Sequence, residues 1–140
     1  MSSLPELPAE YTTFLESHSG TQPYVYDNVD GWWLATSDKL LESVNIDGKK
    51  HPYVHQLRGY VATLRDVFQS EATTDADGKD YAFERLAAGL AIGDNNGDTL
   101  FLDPSNKFAV WCFYHDGGYV EKLAASFAKW LSKAKLDDAY

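Results

Sequence analysis

The sequence is poor in the features that would tie it to a secreted or membrane-bound protein. It has a single cysteine, Cys112, so an internal disulfide is impossible. No window reaches the roughly 18 apolar residues that a membrane-spanning helix needs. The first residues, MSSLPELPAEY, contain neither the basic nor the apolar segment of a secretory signal. We therefore expect a soluble, cytoplasmic protein with its one thiol buried in an apolar strand.

Basic residues are also scarce. Twelve Lys and Arg stand against 21 Asp and Glu, which gives a formal net charge of −9. Such a charge disfavours nucleic acid and anionic membrane surfaces as direct partners, because both carry the same sign. A basic partner fits better, although negative charge also serves simply to keep a protein soluble.

The chain has 140 residues, and this length predicts a single domain over residues 1–140. A domain of that size buries about 70% of its unfolded surface and needs no disulfide or metal to hold it together. Four Trp, nine Tyr and seven Phe are more aromatic residues than so small a core easily hides. Some of them are therefore expected at an interface, where Trp and Tyr are enriched.

Residues 90–116 have the clearest strand pattern and are expected to form the centre of the fold. Apolar residues alternate with polar ones, and the segments Asn95-Asn96-Gly97-Asp98 and Asp103-Pro104-Ser105-Asn106 supply turn residues between them. This predicts a three-stranded antiparallel meander. Such a small sheet needs helices to cover it.

Three stretches show helical periodicity. Leu7, Tyr11, Phe14, Leu15 and His18 share one face of a first helix that should stop at Gly20. Residues 52–69 form the longest amphipathic pattern, and residues 126–135 form a C-terminal one that Val120 and Leu123 could extend backward. The final residues, 137–140, are expected to fray.

The remaining segments are shorter. Residues 23–26 and 31–35 are rich in β-forming residues and predict two strands. Ser37 is expected to cap a short helix over residues 38–43. Residues 45–50 and 71–80 have the composition of loops, the second a mobile one, and residues 81–89 are equally compatible with a helical turn and a strand.

No constellation for catalysis or metal binding is convincing. Asp94, Asn96 and Asp98 begin like a calcium loop, but the glycine is at position four instead of six and no glutamate occupies position twelve. A hairpin turn with positive φ at Gly97 is the better interpretation. We predict no catalytic residue, no cofactor and no metal.

Pairs of histidine, cysteine and aspartate residues also lack a catalytic or metal-binding pattern. His51 and His55 have the spacing of zinc ligands on a helix, but no glutamate follows the first histidine. Cys112 and His115 are three apart on a strand and would point to opposite faces. Aspartates at strand ends, Asp94, Asp98, Asp103 and Asp116, most often belong to turns; catalysis there is a minor alternative.

Three segments of the chain resemble the SUKH superfamily, the group that includes the Smi1/Knr4 cell-wall regulators and Suppressor of fused. Residues 7–20, LPAEYTTFLESHSG, are similar to the family's opening helix. Residues 90–103, LAIGDNNGDTLFLD, are similar to its central hairpin with a Gly-Asp pair, and residues 123–131, LAASFAKWL, to its closing helix. Together they frame nearly the whole chain in the expected order.

This resemblance implies an α+β domain in which helices pack against an antiparallel or mixed sheet. It also implies a non-catalytic role in protein binding, since many bacterial members resemble immunity proteins that neutralise polymorphic toxins of the nuclease or deaminase type. The alternative is a regulatory or scaffold module unrelated to toxins. We expect a basic toxin domain as the partner and the rim of the sheet as its binding surface. The residues expected there are Trp32, Asp94, Asn95, Asn96, Asp98, Asp103, Tyr114 and Asp116.

Overall fold

A computed structural model describes residues 5–18 and 23–137. Within these residues the secondary structure consists of short helices and an extensive set of strands. In chain order the elements are α1 (Ala9–Ser17), β1 (Tyr24–Tyr26), β2 (Val29–Leu34), α2 (Ser37–Leu40), β3 (Ser43–Ile46), β4 (Lys49–Pro52), α3 (Leu57–Phe68), β5 (Ala72–Thr74), β6 (Asp80–Ala82), α4 (Phe83–Ala87), β7 (Leu90–Asn95), β8 (Asp98–Asp103), β9 (Ala109–Tyr114), β10 (Tyr119–Ala124), α5 (Phe127–Lys133) and β11 (Lys135–Leu136).

A seven-stranded antiparallel sheet with the order β10-β9-β8-β7-β2-β1-β11 organises the fold. Its central strands β7, β8 and β9 are the predicted meander, which is confirmed. The meander continues into β10, so the expected backward extension of the last helix is wrong. Val120 pairs with Phe113 of β9 and is fully buried, because the alternation of β10 places it on an apolar face of the sheet.

Both faces of the sheet carry an apolar core. The first core lies between the sheet and helices α1 and α5 and includes Trp130, Tyr11 and Cys112. The second lies beneath α3 and α4 and includes Phe101, Trp111 and the two helices' inward leucines. Since burying a large apolar side chain contributes about 1.5–3 kcal/mol, the two cores hold the sheet from both sides. The α+β class expected from the sequence is confirmed, with an antiparallel sheet.

Helices α1 and α5 pack against each other through aromatic rings. Phe127 lies 4.9 Å from Tyr11 and 5.1 Å from Phe14, both edge-on. The predicted first helix is therefore confirmed, while its expected stop at Gly20 lies outside the described residues. The Ser126 side chain accepts a hydrogen bond from the Lys129 backbone N–H and caps α5.

The sheet curls until its ends approach one another. The Tyr26 hydroxyl of β1 donates a 2.8 Å hydrogen bond to the carbonyl of Leu123 in β10, and the Tyr26 ring stacks on Trp130 at 5.1 Å. At the outer side of β1, the pairs Tyr24–Leu136 and Val25–Lys135 add β11 to the sheet. Helix α5 consequently ends at Lys133, two residues before the predicted end, because the chain switches there to strand pairing.

Two segments predicted as loops form hairpins instead. Residues 45–50 belong to β3 and β4, joined at Asp47 and Gly48, both with positive φ. Residues 71–80 belong to the β5–β6 hairpin, whose turn is held by the Asp75 carboxylate accepting from two backbone N–H groups. The Thr73 hydroxyl also donates to the Gly118 carbonyl, which ties this hairpin to the start of β10. The segment left open by the sequence, residues 81–89, completes β6 and then forms α4.

Two helix starts differ from the prediction. Thr36, not Ser37, caps α2 by accepting from the Lys39 N–H, and the helix ends at Leu40 because Ser43 already pairs in β3. Helix α3 begins at Leu57 instead of residue 52, since Pro52 completes β4 and a 3-10 turn intervenes. Gly59 is required inside α3, because a Cβ there would lie 2.9 Å from the Ile46 side chain.

In the ranges 5–18 and 23–137, the helices are all too short or too polar to span a bilayer.

Candidate functional site

Strand direction gathers aspartates at one end of the sheet. Strands β7 and β9 end there, and β2, β8 and β10 begin there, so their connecting turns lie side by side. We call the five aspartates in and beside these turns the acidic edge. Its members are Asp27, Asp30, Asp94, Asp98 and Asp116. The sequence placed three of them at a strand end, and the topology brings all five to the same one.

The β7–β8 turn at the middle of this edge has the backbone that its sequence predicts. Asn96 and Gly97 have φ values of 51° and 96°, which suits a tight hairpin turn and confirms positive φ at Gly97. The Asn95 side chain donates a 2.8 Å hydrogen bond to the carbonyl of Asp30 and so joins this turn to the start of β2. This hydrogen bond therefore holds the β7–β8 turn against the start of β2. Among the described residues, no three His, Cys, Asp or Glu side chains are placed to hold a metal.

His115 connects two carboxylates of the acidic edge. Its Nδ1 lies 2.6 Å from Asp98 Oδ1 and its Nε2 lies 3.2 Å from Asp116 Oδ1. The same Asp98 oxygen accepts the His115 backbone N–H at 3.1 Å. Gly97 leaves room for this arrangement, since a Cβ there would lie 3.0 Å from the imidazole. The β7–β8 and β9–β10 turns are thereby locked together.

Among the described residues, no member of the acidic edge forms an ion pair with lysine or arginine. Lys39 lines the same cleft as Asp94, beyond ion-pairing distance. Lys122 and Lys133 line another cleft with Asp27 and are also beyond ion-pairing distance. In the described part of the chain, the ion pairs made by Lys or Arg are Arg65–Glu71 and Arg85–Asp103, and neither includes a member of the edge. Asp116 has a side chain that is 94% exposed. Several like charges held close together at one end of a protein of net charge −9 produce a negative potential that attracts cations.

A cleft adjoins the acidic edge where β2 meets β7. Its volume is about 310 Å³, and Trp33, Tyr53, Asp94 and Lys39 contribute to its lining. The Tyr53 hydroxyl donates a 3.1 Å hydrogen bond to Asp94 Oδ1. Burial, reinforced by Asp94, raises the pKa of Tyr53, so the phenol keeps the proton that it donates. The Lys39 ammonium lies 5.2 Å from the centre of the Tyr53 ring.

Aromatic side chains flank the other side of the edge. Tyr114 and Tyr119 pair across β9 and β10 with their rings stacked at 4.7 Å, and the Tyr114 hydroxyl donates to Glu121 at 2.6 Å. Tyr119 remains 40% exposed. Phe68, at the end of α3, is 38% exposed and lies against Gly118 in the β9–β10 turn. Acidic and aromatic groups therefore share one surface.

Six of the eight residues predicted at the partner surface lie at or next to the acidic edge. They are Asp94, Asn95, Asn96, Asp98, Tyr114 and Asp116. Whether they bind a partner stays a prediction.

Trp32 does not lie on the surface as expected. It is only 4% exposed and belongs to the first core, whereas its neighbour Trp33 is 39% exposed and lines the cleft. Side chains alternate along a strand, so the two adjacent tryptophans project to opposite faces of the sheet, but two identical residues give no indication which one is buried. Trp33 is therefore the exposed tryptophan of this pair.

Asp103 is also misplaced by the prediction. It ends β8 at the opposite end of the sheet from the acidic edge and is 0% exposed. Its carboxylate accepts hydrogen bonds from Tyr81 at 2.7 Å, from Arg85 Nε at 2.7 Å and from the Ser105 N–H and hydroxyl. Arg85 in turn lies over the rings of Tyr81 and Trp111. This buried network stabilises the fold and is unavailable to a partner.

The positions of the candidate metal-binding histidines and of the cysteine do not favour a chemical role. His51 lies in β4 and His55 in the following 3-10 turn, so they do not share a helix face. Cys112 is fully buried in the first core, as predicted, and burial raises the pKa of its thiol, which opposes formation of a reactive thiolate.

The sequence did not identify Trp33 and His115 as surface residues near the acidic edge, or Tyr53 as a buried residue that lines the cleft. The turn residue His115 and the second tryptophan could have been included from their positions beside predicted strand ends. Tyr53 gave no such signal, because it reaches Asp94 only through the 3-10 turn between β4 and α3.

Comparison with known proteins gives a family. A family model described as the SMI1 / KNR4 family (SUKH-1) matches residues 5–133. Searches of curated proteins and of solved structures returned no match. The family match begins before α1, runs through the whole meander and ends with α5, so it covers both cores and the acidic edge. This chain therefore belongs to the SMI1 / KNR4 family (SUKH-1).

Proposed function

We propose that this protein binds a basic protein through its acidic edge, and that the partner is a toxin domain which it neutralises. Neutralisation requires only that the chain occupy or distort the toxin's working surface; the chain performs no reaction of its own. Binding takes place in the cytoplasm of the cell that makes the toxin. A nuclease or deaminase domain suits this role, because enzymes that act on nucleic acids carry basic grooves for their polyanionic substrates.

The acidic edge is the observation that carries the proposal. Its five aspartates lie in or beside adjacent turns, and within the described residues none of them forms an ion pair with Lys or Arg. An excess of charge of one sign raises the rate at which a partner of opposite sign associates, and it disfavours acidic competitors.

The aromatic groups beside the edge supply apolar contact area, which the charged groups lack. Interfaces depend on a few well-packed anchors, among which Trp and Tyr are enriched, while charge at the rim mainly affects association rate and specificity. Trp33, Phe68 and Tyr119 are each more than a third exposed and flank the edge. We therefore place the apolar anchors at these three side chains.

The test uses the purified chain and a toxin domain encoded beside it. Charge reversal of Asp94, Asp98 and Asp116 to Lys should slow association at least tenfold and flatten its salt dependence, because long-range attraction is screened by ions. Co-expression with the toxin should then no longer protect cells. Surface plasmon resonance at several salt concentrations measures the first effect, and a growth assay measures the second.

A matched control reverses three exposed acidic residues that are not members of the edge. Glu16, Asp77 and Glu84 are suitable, since all three are exposed and make no ion pair within the described chain. This control has the same net charge as the test variant, and it should associate with the toxin nearly as fast as the unmodified protein does. If the association rate falls equally in both variants, the effect is due to net charge and not to the acidic edge. If both variants bind as the unmodified protein does, the interface lies elsewhere.

The regulatory alternative gives a different result in the same cells. If affinity purification recovers a partner that is not a toxin, and cells are not protected from any toxin encoded nearby, neutralisation is refuted. The acidic edge can then be tested against the recovered partner with the same two variants.

A further inference from the structure

We propose that the cleft between β2 and β7 binds an arginine side chain of the protein partner. The proposal rests on the function proposed above and adds the chemistry of one contact. The cleft is lined by Trp33, Tyr53, Asp94, Lys39 and the segment that joins β2 to α2. At about 310 Å³ it is at the lower limit of ligand pockets, which suits a single long side chain.

Asp94 provides an anionic group that is already oriented. Its Oδ1 accepts the Tyr53 hydroxyl at 3.1 Å, which limits rotation of the carboxylate. Within the described residues Oδ2 receives no hydrogen bond, and no lysine or arginine lies within ion-pairing distance. A partly buried carboxylate in this state gains most from a donor that brings both a positive charge and N–H groups.

Trp33 provides the second element, a flat aromatic surface. It pairs directly with Asp94 across β2 and β7, so the two side chains project from the same face of the sheet. The indole is 39% exposed. A planar guanidinium can stack on an indole while donating to a neighbouring carboxylate, and it is less strongly hydrated than an ammonium group. Arginine therefore fits this pair better than lysine does.

Lys39 does not replace the ligand. Its ammonium lies over the Tyr53 ring, 5.2 Å from the ring centre, and makes no ion pair with Asp94. It also lines the cleft, where its charge opposes any cation; a guanidinium, which spreads its charge over a larger group, is opposed less than a compact ammonium. An anionic occupant would meet the Asp94 carboxylate directly and is disfavoured.

The experiment titrates the intact ¹⁵N-labelled protein with N-acetyl-arginine methylamide and follows NMR chemical shifts. The isosteric citrulline compound, which lacks the charge, and the lysine compound serve as comparisons. We expect saturable shifts of the Trp33 indole N–H and the Asp94 amide at millimolar arginine. Citrulline should bind at least tenfold more weakly, and lysine several-fold more weakly.

Two variants complete the design. Asp94→Asn should weaken arginine binding about tenfold, while Asp77→Asn, which removes an equal charge from an exposed turn outside the edge, should change it less than twofold. Equal affinity for arginine and citrulline, shifts centred away from the cleft, or unchanged binding in Asp94→Asn would each refute the proposal. Because this titration needs no toxin, its failure leaves partner binding to be judged by the association assay, and the reverse also holds.

Discussion

Replacing Asp103 is expected to destabilise the protein more than replacing any aspartate of the acidic edge. The Asp103 side chain is fully buried, and Arg85 approaches its Oδ2 at 2.7 Å through Nε and at 2.6 Å through Nη2. Tyr81 donates to the same oxygen, and Ser105 donates twice to the other. Asp103→Asn keeps the size of the side chain but removes its charge. It also replaces one acceptor oxygen with an NH2 group, which is a donor and would face the donors that now surround the carboxylate.

The magnitude follows from burial. Breaking a buried, hydrogen-bonded charge pair by removing one partner costs about 3–5 kcal/mol. A domain of this kind has a total stability of about 5–15 kcal/mol, so the loss is a large fraction of it. For a chain of this length, about 3 °C per kcal/mol predicts that Tm falls by about 9–15 °C. Tyr81→Phe removes one hydrogen bond to a charged group and should cost about 1.5–3 kcal/mol.

Urea unfolding followed by tryptophan fluorescence measures these changes, with Asp116→Asn as the control. Because the Asp116 side chain is 94% exposed, its replacement should alter the free energy of unfolding by no more than about 0.5 kcal/mol. A loss below about 1 kcal/mol for Asp103→Asn, or one no larger than that of the control, would refute a stabilising role for the network.

Three further predictions concern packing, pH and the thiol. Gly93→Ala should destabilise the fold by about 1–3 kcal/mol in urea unfolding, because a Cβ would lie 2.6 Å from the Trp33 carbonyl oxygen; full stability would mean that β2 can shift at no cost. Burial, and then the charge of Arg58, lowers the pKa of His55 in the folded protein. In the unfolded chain His55 has its ordinary pKa of about 6.5, so below that pH the unfolded chain binds more protons than the folded one. The stability should therefore fall as the pH decreases from about 6.5. His55→Gln should reduce that fall between pH 7.5 and 5.5, and an unchanged pH dependence would contradict this assignment. Cys112 should react with a thiol reagent only at the rate of unfolding, and fast labelling of the native protein would show that the first core admits the reagent.

The parts of the fold that the sequence predicted are those with strong apolar periodicity. In the meander, α1 and α5, apolar and polar residues recur with the period of a strand or a helix. The tight turn at Gly97 contains Asn96 and Gly97, a residue pair that is typical of turns with positive φ. The β3–β4 and β5–β6 hairpins lack this signal, because much of each strand is exposed and polar. Their pairing follows from contacts with α3 and β10 that are distant in sequence.

The candidate surface was predictable as a region but not residue by residue. Asp94 and Asp103 occupy similar positions near strand ends, yet one lines an open cleft and the other is buried. Arg85 and Tyr81 cause the difference, and both come from the segment whose conformation the sequence left open. In the same way, the choice between Trp32 and Trp33 depends on the register of β2 with its neighbours.

Strand β11 has a consequence for the behaviour of the protein in concentrated solution. It covers the outer side of β1 with just two residue pairs and lies beyond the matched family region, which ends at residue 133. If this pair of contacts opens, the segment Tyr24–Tyr26 presents unpaired N–H and C=O groups next to aromatic, strongly β-forming side chains. An uncovered edge of that composition is a template for intermolecular strand addition. The two residue pairs of β11 therefore cover an edge of the sheet that would otherwise be open to strand addition by another molecule.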